Sequence, residues 1–519
     1  MSRDGQAHRP VIAVVGGGMA GLAAAWELIG GADPAGDTGP RVVVLEAGHR
    51  TGGKVASTEF CGRTVDLAAD AFLARRPEAT GLCTELGLEG SLVAPGASGA
   101  ALWSRGRLRM MPDGVNLGVP TRWWPLCRSG ILSPQGSLRA AVDLVRPHRG
   151  DPGATGDRAV GPVVAARLGH EVVERLVDPL VGGIHAGGVD QLSAEATFPP
   201  LLSADRQPGS LMRSLGRPPR GNPSPPTSPP APGTPPTPVF WSLAGGAARL
   251  PAELASSLAA RGVAVHTRVA VESLTRAPAG GPDPRTWLLT LAGEATSVAG
   301  AVGSSDSRAV LAVDGVVLAV PAAQASLLLT GLAPVAASLL SDIEHASVTV
   351  VTLSMPAGSI RSELAGTGFL VPRTSTIDGR PALITGCTYL SRKWPGLARP
   401  DDELVRLSVG RLGDDRPSSL DDDELTAASF GELARILDVD GRPRQSMVTR
   451  WDGAFPQYTV GHLDRTARIE QSVAELPGVG VAGAAYRGVG IPAVVGSGRA
   501  AARAVLGSLD GAASSPAGR

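Results

Sequence analysis

Gly16, Gly18 and Gly21 stand between an apolar β-branched run, Val11–Val15, and a segment with helical apolar spacing at 19–29. That Gly-x-Gly-x-x-Gly spacing suits phosphate binding. Gly16 permits a tight turn, Gly18 lets backbone approach a pyrophosphate, and Gly21 allows close helix–strand packing. The N–H groups of the first helical turn then face the phosphates. The next strand, Arg41–Leu45, closes on Glu46, which can accept hydrogen bonds from ribose hydroxyls. A second string follows, Glu46-Ala47-Gly-His-Arg50-Thr-Gly52-Gly53-Lys54, where Arg50 can face a phosphate and paired glycines let backbone amides meet a cofactor. Close to the other end, Ala482-Gly483 and Tyr486-Arg-Gly-Val489-Gly490-Ile491-Pro492 precede an Ala-rich helix at 491–507. Pro492 suits its first turn.

The elements that must hold these residues are a β-α-β unit at the start of the chain and a strand–helix pair at its end. Helical patterns are expected at 78–88, 137–145, 160–167, 171–177, Ala322–Leu329, 401–410 and 421–437. Strands are expected at 263–274, 287–291, 310–320 and 479–482. Residues 30–40 read as an enlarged loop. The tracts 277–285 and 293–308 read as expanded hairpin loops. The Pro-rich tract 216–238 reads as a disordered insertion, since it can form neither helix nor sheet.

With 519 residues, 43% of them hydrophobic and 18% charged, the chain can bury a large core in more than one unit. Lys+Arg 48 balances Asp+Glu 48, which argues against a bulk electrostatic binder of nucleic acid. Only Lys54 and Lys393 are lysines; with 68 Gly and 44 Pro, this resembles coding from a GC-rich genome. Cys61, Cys83, Cys127 and Cys387 are far apart, so buried free thiols in a reducing cytoplasm are expected, with neither a disulfide framework nor a metal site. No apolar stretch suits a signal peptide or a spanning helix. A cytoplasmic protein with at most peripheral membrane contact is the expectation. For Trp123-Trp124, a packed pair is preferred over a membrane-dipping one.

The Glu-Ala-x-x-Arg-x-Gly-Gly-Lys string resembles the second cofactor motif of FAD proteins of the glutathione-reductase type, especially flavin amine oxidases, and favours FAD over NAD. Four further stretches resemble the protoporphyrinogen/coproporphyrinogen oxidase family: Asp178-Pro-Leu-Val-Gly-Gly-Ile-His-Ala-Gly-Gly-Val-Asp-Gln-Leu-Ser193, Phe240-Trp-Ser-Leu-Ala-Gly-Gly246, Pro456-Gln-Tyr-Thr-Val-Gly-His462 and Tyr486–Pro492. The family's Gly-Pro-Asp-Ser-Phe-Leu stands here as Ala68-Ala-Asp70-Ala-Phe-Leu73.

The resemblance implies an α/β fold, α+β overall. It would comprise a Rossmann-like FAD unit (11–77, 239–320, 445–508), a helical unit (104–200) and a mixed-sheet substrate unit (78–103, 201–215, 321–444). It implies noncovalent FAD, because a C-terminal cysteine for attachment is missing. It also implies three two-electron oxidations of a porphyrinogen, with hydride passing to flavin N5 and oxygen reduced to hydrogen peroxide. Flavin contacts are expected at Gly16, Gly18, Met19, Ala20, Gly21, Glu46, Ala47, Arg50, Gly53, Lys54, Val269, Trp451, Gly483, Val489, Gly490 and Ile491. Gly182, Gly183 and His185 are expected to face substrate, with Arg75 and Arg76 as candidates for its carboxylates. No acid–base residue is assigned, because the chemistry belongs to the cofactor. Coproporphyrinogen III, with four carboxylates, is favoured over the two-carboxylate protoporphyrinogen IX by analogy with enzymes of GC-rich Gram-positive bacteria. An amine oxidase is the weaker alternative, given two lysines and no aromatic partner for Tyr486 in its motif. A non-enzymatic flavin-binding protein is the other.

Overall fold

The computed structural model describes residues 9–31, 39–146, 148–150, 155–217, 238–278, 285–304 and 308–514. Val11–Val15 is a fully buried strand because both of its faces are covered. It is the centre of a five-stranded parallel sheet ordered Ala264–His266, Arg41–Leu45, Val11–Val15, Gly315–Leu318, Val479–Val481. The period of two divides its side chains between two cores. Ile12 and Val14 pack with helix Met19–Leu28 and the C-terminal helix Ile491–Ser514. Val11, Ala13 and Val15 pack with Trp287, Leu289 and Leu291 of a four-stranded antiparallel sheet. At the strand's end, Gly16 turns the chain with φ +103°. A methyl group there would stand 2.4 Å from the carbonyl oxygen of Ala319.

A seven-stranded sheet forms the second layer. Its order is Gln445–Pro456, His345–Pro356, Asp402–Val409, Ile384–Tyr389, Gly368–Leu370, Ala101–Ser104, Arg107–Met110. It takes strands from both sides of residues 104 and 445, where the sequence suggested unit boundaries. The helix expected at 401–410 is in fact the strand Asp402–Val409. Leu404 and Leu407 mimic a helical spacing, but the stretch also alternates. Val405, Leu407 and Val409 enter the core beside helix Asp422–Leu437, while Arg406 and Ser408 line a cavity on the opposite face.

The helices between Trp123 and Leu215 share a separate core built on residues such as Leu126, Val164, Leu176 and Phe198. Within it, Val173–Gly182 winds as a π-helix containing Pro179, which has no N–H to give. Gly183–His185 continues it as one α-turn, and Ala186 ends it at φ +50°.

Of the expected loops, residues 32–38, 279–284 and 305–307 lie outside the described residues; in the remainder Ala295–Ser297 is a short 3-10 turn and Ala301–Ser304 is a strand paired with Arg308–Val313. The Pro-rich tract lies outside the described residues apart from 216, 217 and 238. Cys83 and Cys387 are buried as expected, whereas Cys61 and Cys127 are partly exposed. The Trp pair is only half packed. The Trp123 indole donates to Ser137 O at 2.9 Å, while Trp124 is 61% exposed beneath the Arg128 guanidinium. No described helix is long and apolar enough to cross a membrane.

Candidate active site

The two glycine strings interlock. Gly52 N–H donates to Gly17 O at 2.8 Å, and the Glu46 carboxylate accepts Gly17 N–H at 2.7 Å and Gly48 N–H at 2.6 Å. A cavity of about 760 Å³ opens over them. Among its walls are Gly16, Gly18, Met19, Ala20, Glu46, Ala47, Gly53, Lys54, Val269, Gly483 and Ile491. Helix Met19–Leu28 starts at this wall with no side-chain cap, leaving first-turn N–H groups for a ligand. Gly21 is not on the wall. A methyl group on it would lie 1.8 Å from Gly16 O, so it is required by helix–strand packing. Arg50 is not on the wall either. Its guanidinium folds back onto Thr51 O and Gly53 O at 3.2 and 3.0 Å.

A second cavity, about 530 Å³, adjoins the first through Lys54, Pro456 and Ala484, which border both. Ala68–Ala71, Gly182, Gly183, Val348, Val350, Trp451, Val489 and Gly490 contribute mostly apolar wall. Trp451, Val489 and Gly490, expected at the cofactor, are thus on this side of the junction. Lys54 donates to Ala454 O, and burial lowers its pKa.

His185 does not line the cavity, contrary to expectation. The ring is 7% exposed and 5.6 Å from Tyr458, which stacks on His462 at 3.9 Å. Burial, then the neighbouring His462, brings His185 to a pKa of about 4; burial brings His462 to about 4 as well. In that turn it is the neighbours of His185, namely Gly183, Ile184, Ala186 and Gly187, that border the cavity. Arg75 and Arg76 are exposed at the start of helix Pro77–Glu85, away from both walls, where Arg76 pairs with Glu78 at 2.7 Å.

The charged groups on the wall are others. Asp70 accepts Lys393 Nζ at 2.8 and 3.0 Å, Arg406 at 2.8 Å and the Trp394 indole at 3.3 Å. Burial alone would raise its pKa, but Arg406 and Lys393 hold it at about 2. Asp178, Arg373 and Arg411 complete the set. The sequence carried two signals for this set: Asp70 and Asp178 stand in the strings Ala68–Leu73 and Asp178–Ser193, and of the two lysines Lys54 is on the wall and Lys393 is bonded to it.

The family profile of the flavin containing amine oxidoreductases matches residues 19–506, and the chain belongs to that family. Its cofactor is FAD, for which the interlocked glycine turns and the uncapped helix start are a fitting cradle. Within the family, the chain is 35% identical to the coproporphyrinogen III oxidase of Propionibacterium freudenreichii, over 95% of this chain and 90% of that protein. It is 30% identical to the coproporphyrinogen III oxidase of Bacillus subtilis, over 96% and 97%. A crystal structure from Exiguobacterium sp. 255-15 superposes with a TM-score of 0.79 at 29% identity, covering 98% of this chain and all of that one.

Proposed function

We propose that this chain oxidises coproporphyrinogen III to coproporphyrin III, using FAD and molecular oxygen. The observation that carries this reading is the junction at Lys54, Pro456 and Ala484: a mostly apolar, cation-bearing cavity opens directly onto the cofactor cavity. Apolar walls suit a flat tetrapyrrole and cations suit its carboxylates. Bound FAD supplies the two-electron acceptor, used three times per porphyrin formed, with oxygen as the final oxidant.

The protein's contribution is positioning. In this proposal Gly16, Gly18, Met19, Ala20 and Glu46 hold the adenosine diphosphate half, Val269 meets the adenine, and Gly53, Lys54, Gly483 and Ile491 hold the flavin half. Trp451, Val489 and Gly490 border the meeting point with substrate. Gly182 and Gly183 present backbone to the macrocycle, where side chains would obstruct close approach. The division into FAD, substrate and helical units belongs to the same proposal.

The test is anaerobic preparation of coproporphyrinogen III and protoporphyrinogen IX, each mixed with the holoenzyme, with porphyrin fluorescence followed on admitting oxygen. Enzyme-dependent fluorescence with faster turnover of coproporphyrinogen III is expected. Preference for protoporphyrinogen IX would change the substrate, and no enzyme-dependent rate with either would sink the proposal.

A further inference from the structure

Four cations border the second cavity, and two are already engaged by the protein. Arg406 is committed to Asp70, and Lys54 to the Ala454 carbonyl. Arg373 comes no nearer than 3.7 Å to Asp178, too far for a hydrogen bond. The Arg411 guanidinium makes no hydrogen bond or ion pair with any of the described residues, its carbonyl alone accepting Asp414 N–H at 3.0 Å, although the residue is half-buried. Such a guanidinium, with five donors and no acceptor, is costly to withdraw from water.

Arg411 is also held in place. It follows the end of strand Asp402–Val409, and the next N–H, Leu412, donates to Ala186 O at 2.8 Å. Its backbone is therefore fastened to the turn that supplies Gly182 and Gly183. On its other side Arg411 borders a polar cleft of about 470 Å³ lined by Asp414, Asp415 and Arg450, so it stands between the cavity and that cleft. Burial and the charge of Arg373 both disfavour its protonated form, only partly offset by Asp178 and Asp414. Asp178 is itself pushed up by burial. An anion in the cavity would relieve this arrangement, and a carboxylate matches the planar fork of a guanidinium.

We propose that Arg411, flanked by Arg373, is the carboxylate-binding end of the cavity and seats one propionate of the substrate by paired N–H···O hydrogen bonds. This rests on the porphyrinogen reading above and adds where and by which residue the macrocycle is oriented. Arg75 and Arg76, on the outer surface, have no part in it.

The experiment compares wild type with Arg411→Ala, Arg411→Lys and Arg373→Ala. For Arg411→Ala, the KM for coproporphyrinogen III should rise about tenfold, the effect of losing a charge-assisted hydrogen-bonded pair. The turnover number, flavin content and melting temperature should change little. The dissociation constant of the product coproporphyrin III, read by fluorescence, should rise by a similar factor. The tetramethyl ester of coproporphyrinogen III should be indifferent to the substitution. Arg373→Ala should give a smaller effect in the same direction, and Arg411→Lys should recover only part of the loss, having no fork. Unchanged KM and product affinity in Arg411→Ala would overturn the proposal. So would equal losses for acid and ester, or loss of flavin. Failure of the underlying reading shows separately, as a wild type that turns over neither porphyrinogen.

Discussion

The hydroxyl of Tyr458 donates to the carbonyl oxygen of Ala484 at 2.5 Å. Ala484 borders both cavities, so this bond fixes the backbone at their junction. The same hydroxyl accepts Gly488 N–H at 2.8 Å, closing the turn between those residues. The preceding side chain, Gln457, donates to His185 O at 2.8 Å and so holds the opposite wall. The string Pro456-Gln-Tyr458 therefore ties the two backbone segments between which substrate and flavin are proposed to meet.

Tyr458→Phe should loosen that turn without removing the ring stacked on His462. It leaves a part-buried carbonyl and amide without their partner, at a cost of about 1–3 kcal/mol each. The expected result is a melting temperature lower by a few degrees and an FAD dissociation constant raised about tenfold. Titration of apoprotein with FAD, followed by flavin fluorescence, measures the second effect. Wild-type affinity would mean that the 484–488 turn does not depend on the hydroxyl.

Gly18 and Gly21 belong to one motif but should fail differently. A methyl on Gly21 meets Gly16 O at 1.8 Å, so helix and strand must separate, whereas a methyl on Gly18 meets nothing nearer than Gly53 Cα at 4.0 Å. Gly21→Ala should therefore destabilise the apoprotein, by about 1–3 kcal/mol or more for overpacking against backbone. Gly18→Ala should leave apoprotein stability near wild type and weaken FAD binding, since Gly18 lies on the cavity wall. Urea unfolding of the two apoproteins separates these outcomes; equal destabilisation would contradict the assignment.

This contrast also shows what a sequence discloses. The cofactor end was legible because strand, turn and helix are adjacent in the chain, and the function of each glycine is local. The substrate end was less so. Its wall combines Ala68–Ala71, Asp178, Gly182, Gly183, Val348, Val350, Arg406, Ser408, Arg411 and Trp451, which only tertiary structure brings together. The misread strand Asp402–Val409 hid the most informative part. As a helix, it gave no reason to set Arg406 and Ser408 on one face and Val405 and Leu407 on the other. Arg75 and Arg76 attracted attention as a pair of cations, although nothing in the sequence tells a surface pair from a cavity pair.

Asp70 should behave as the anchor of its cation cluster. Asp70→Asn leaves Lys393 and Arg406 buried without their carboxylate, and breaking a buried pair from one side costs about 3–5 kcal/mol. The sign with pH follows from a carboxyl pKa held at about 2 against an ordinary 3.8. The folded state favours the charged form, so this contribution is complete above about pH 4 and is lost as pH falls toward 2. The wild type's advantage over the variant in urea should be constant at pH 5–8 and narrow below pH 4. An advantage unchanged down to pH 2 would contradict the electrostatic explanation.

His185 and His462 act in a different window and for the opposite reason. Each is buried as the neutral ring, with a pKa near 4 in place of 6.5, so the unfolded chain binds a proton more readily than the folded one. Stability is then flat above pH 6.5 and declines as pH falls from 6.5 to 4, by roughly 3 kcal/mol for each histidine over the whole interval. His185→Phe keeps an aromatic ring beside Tyr458 and removes the titration. The buried His185 Nδ1 has no hydrogen-bond partner, so little is lost at neutral pH. The variant should match wild type in urea at pH 7.5 and exceed it at pH 5, with a shallower slope between, the remainder coming from His462 and from His266 and His345, which burial also lowers. If both proteins lost stability in parallel over that range, the acid sensitivity would have to arise elsewhere than at His185.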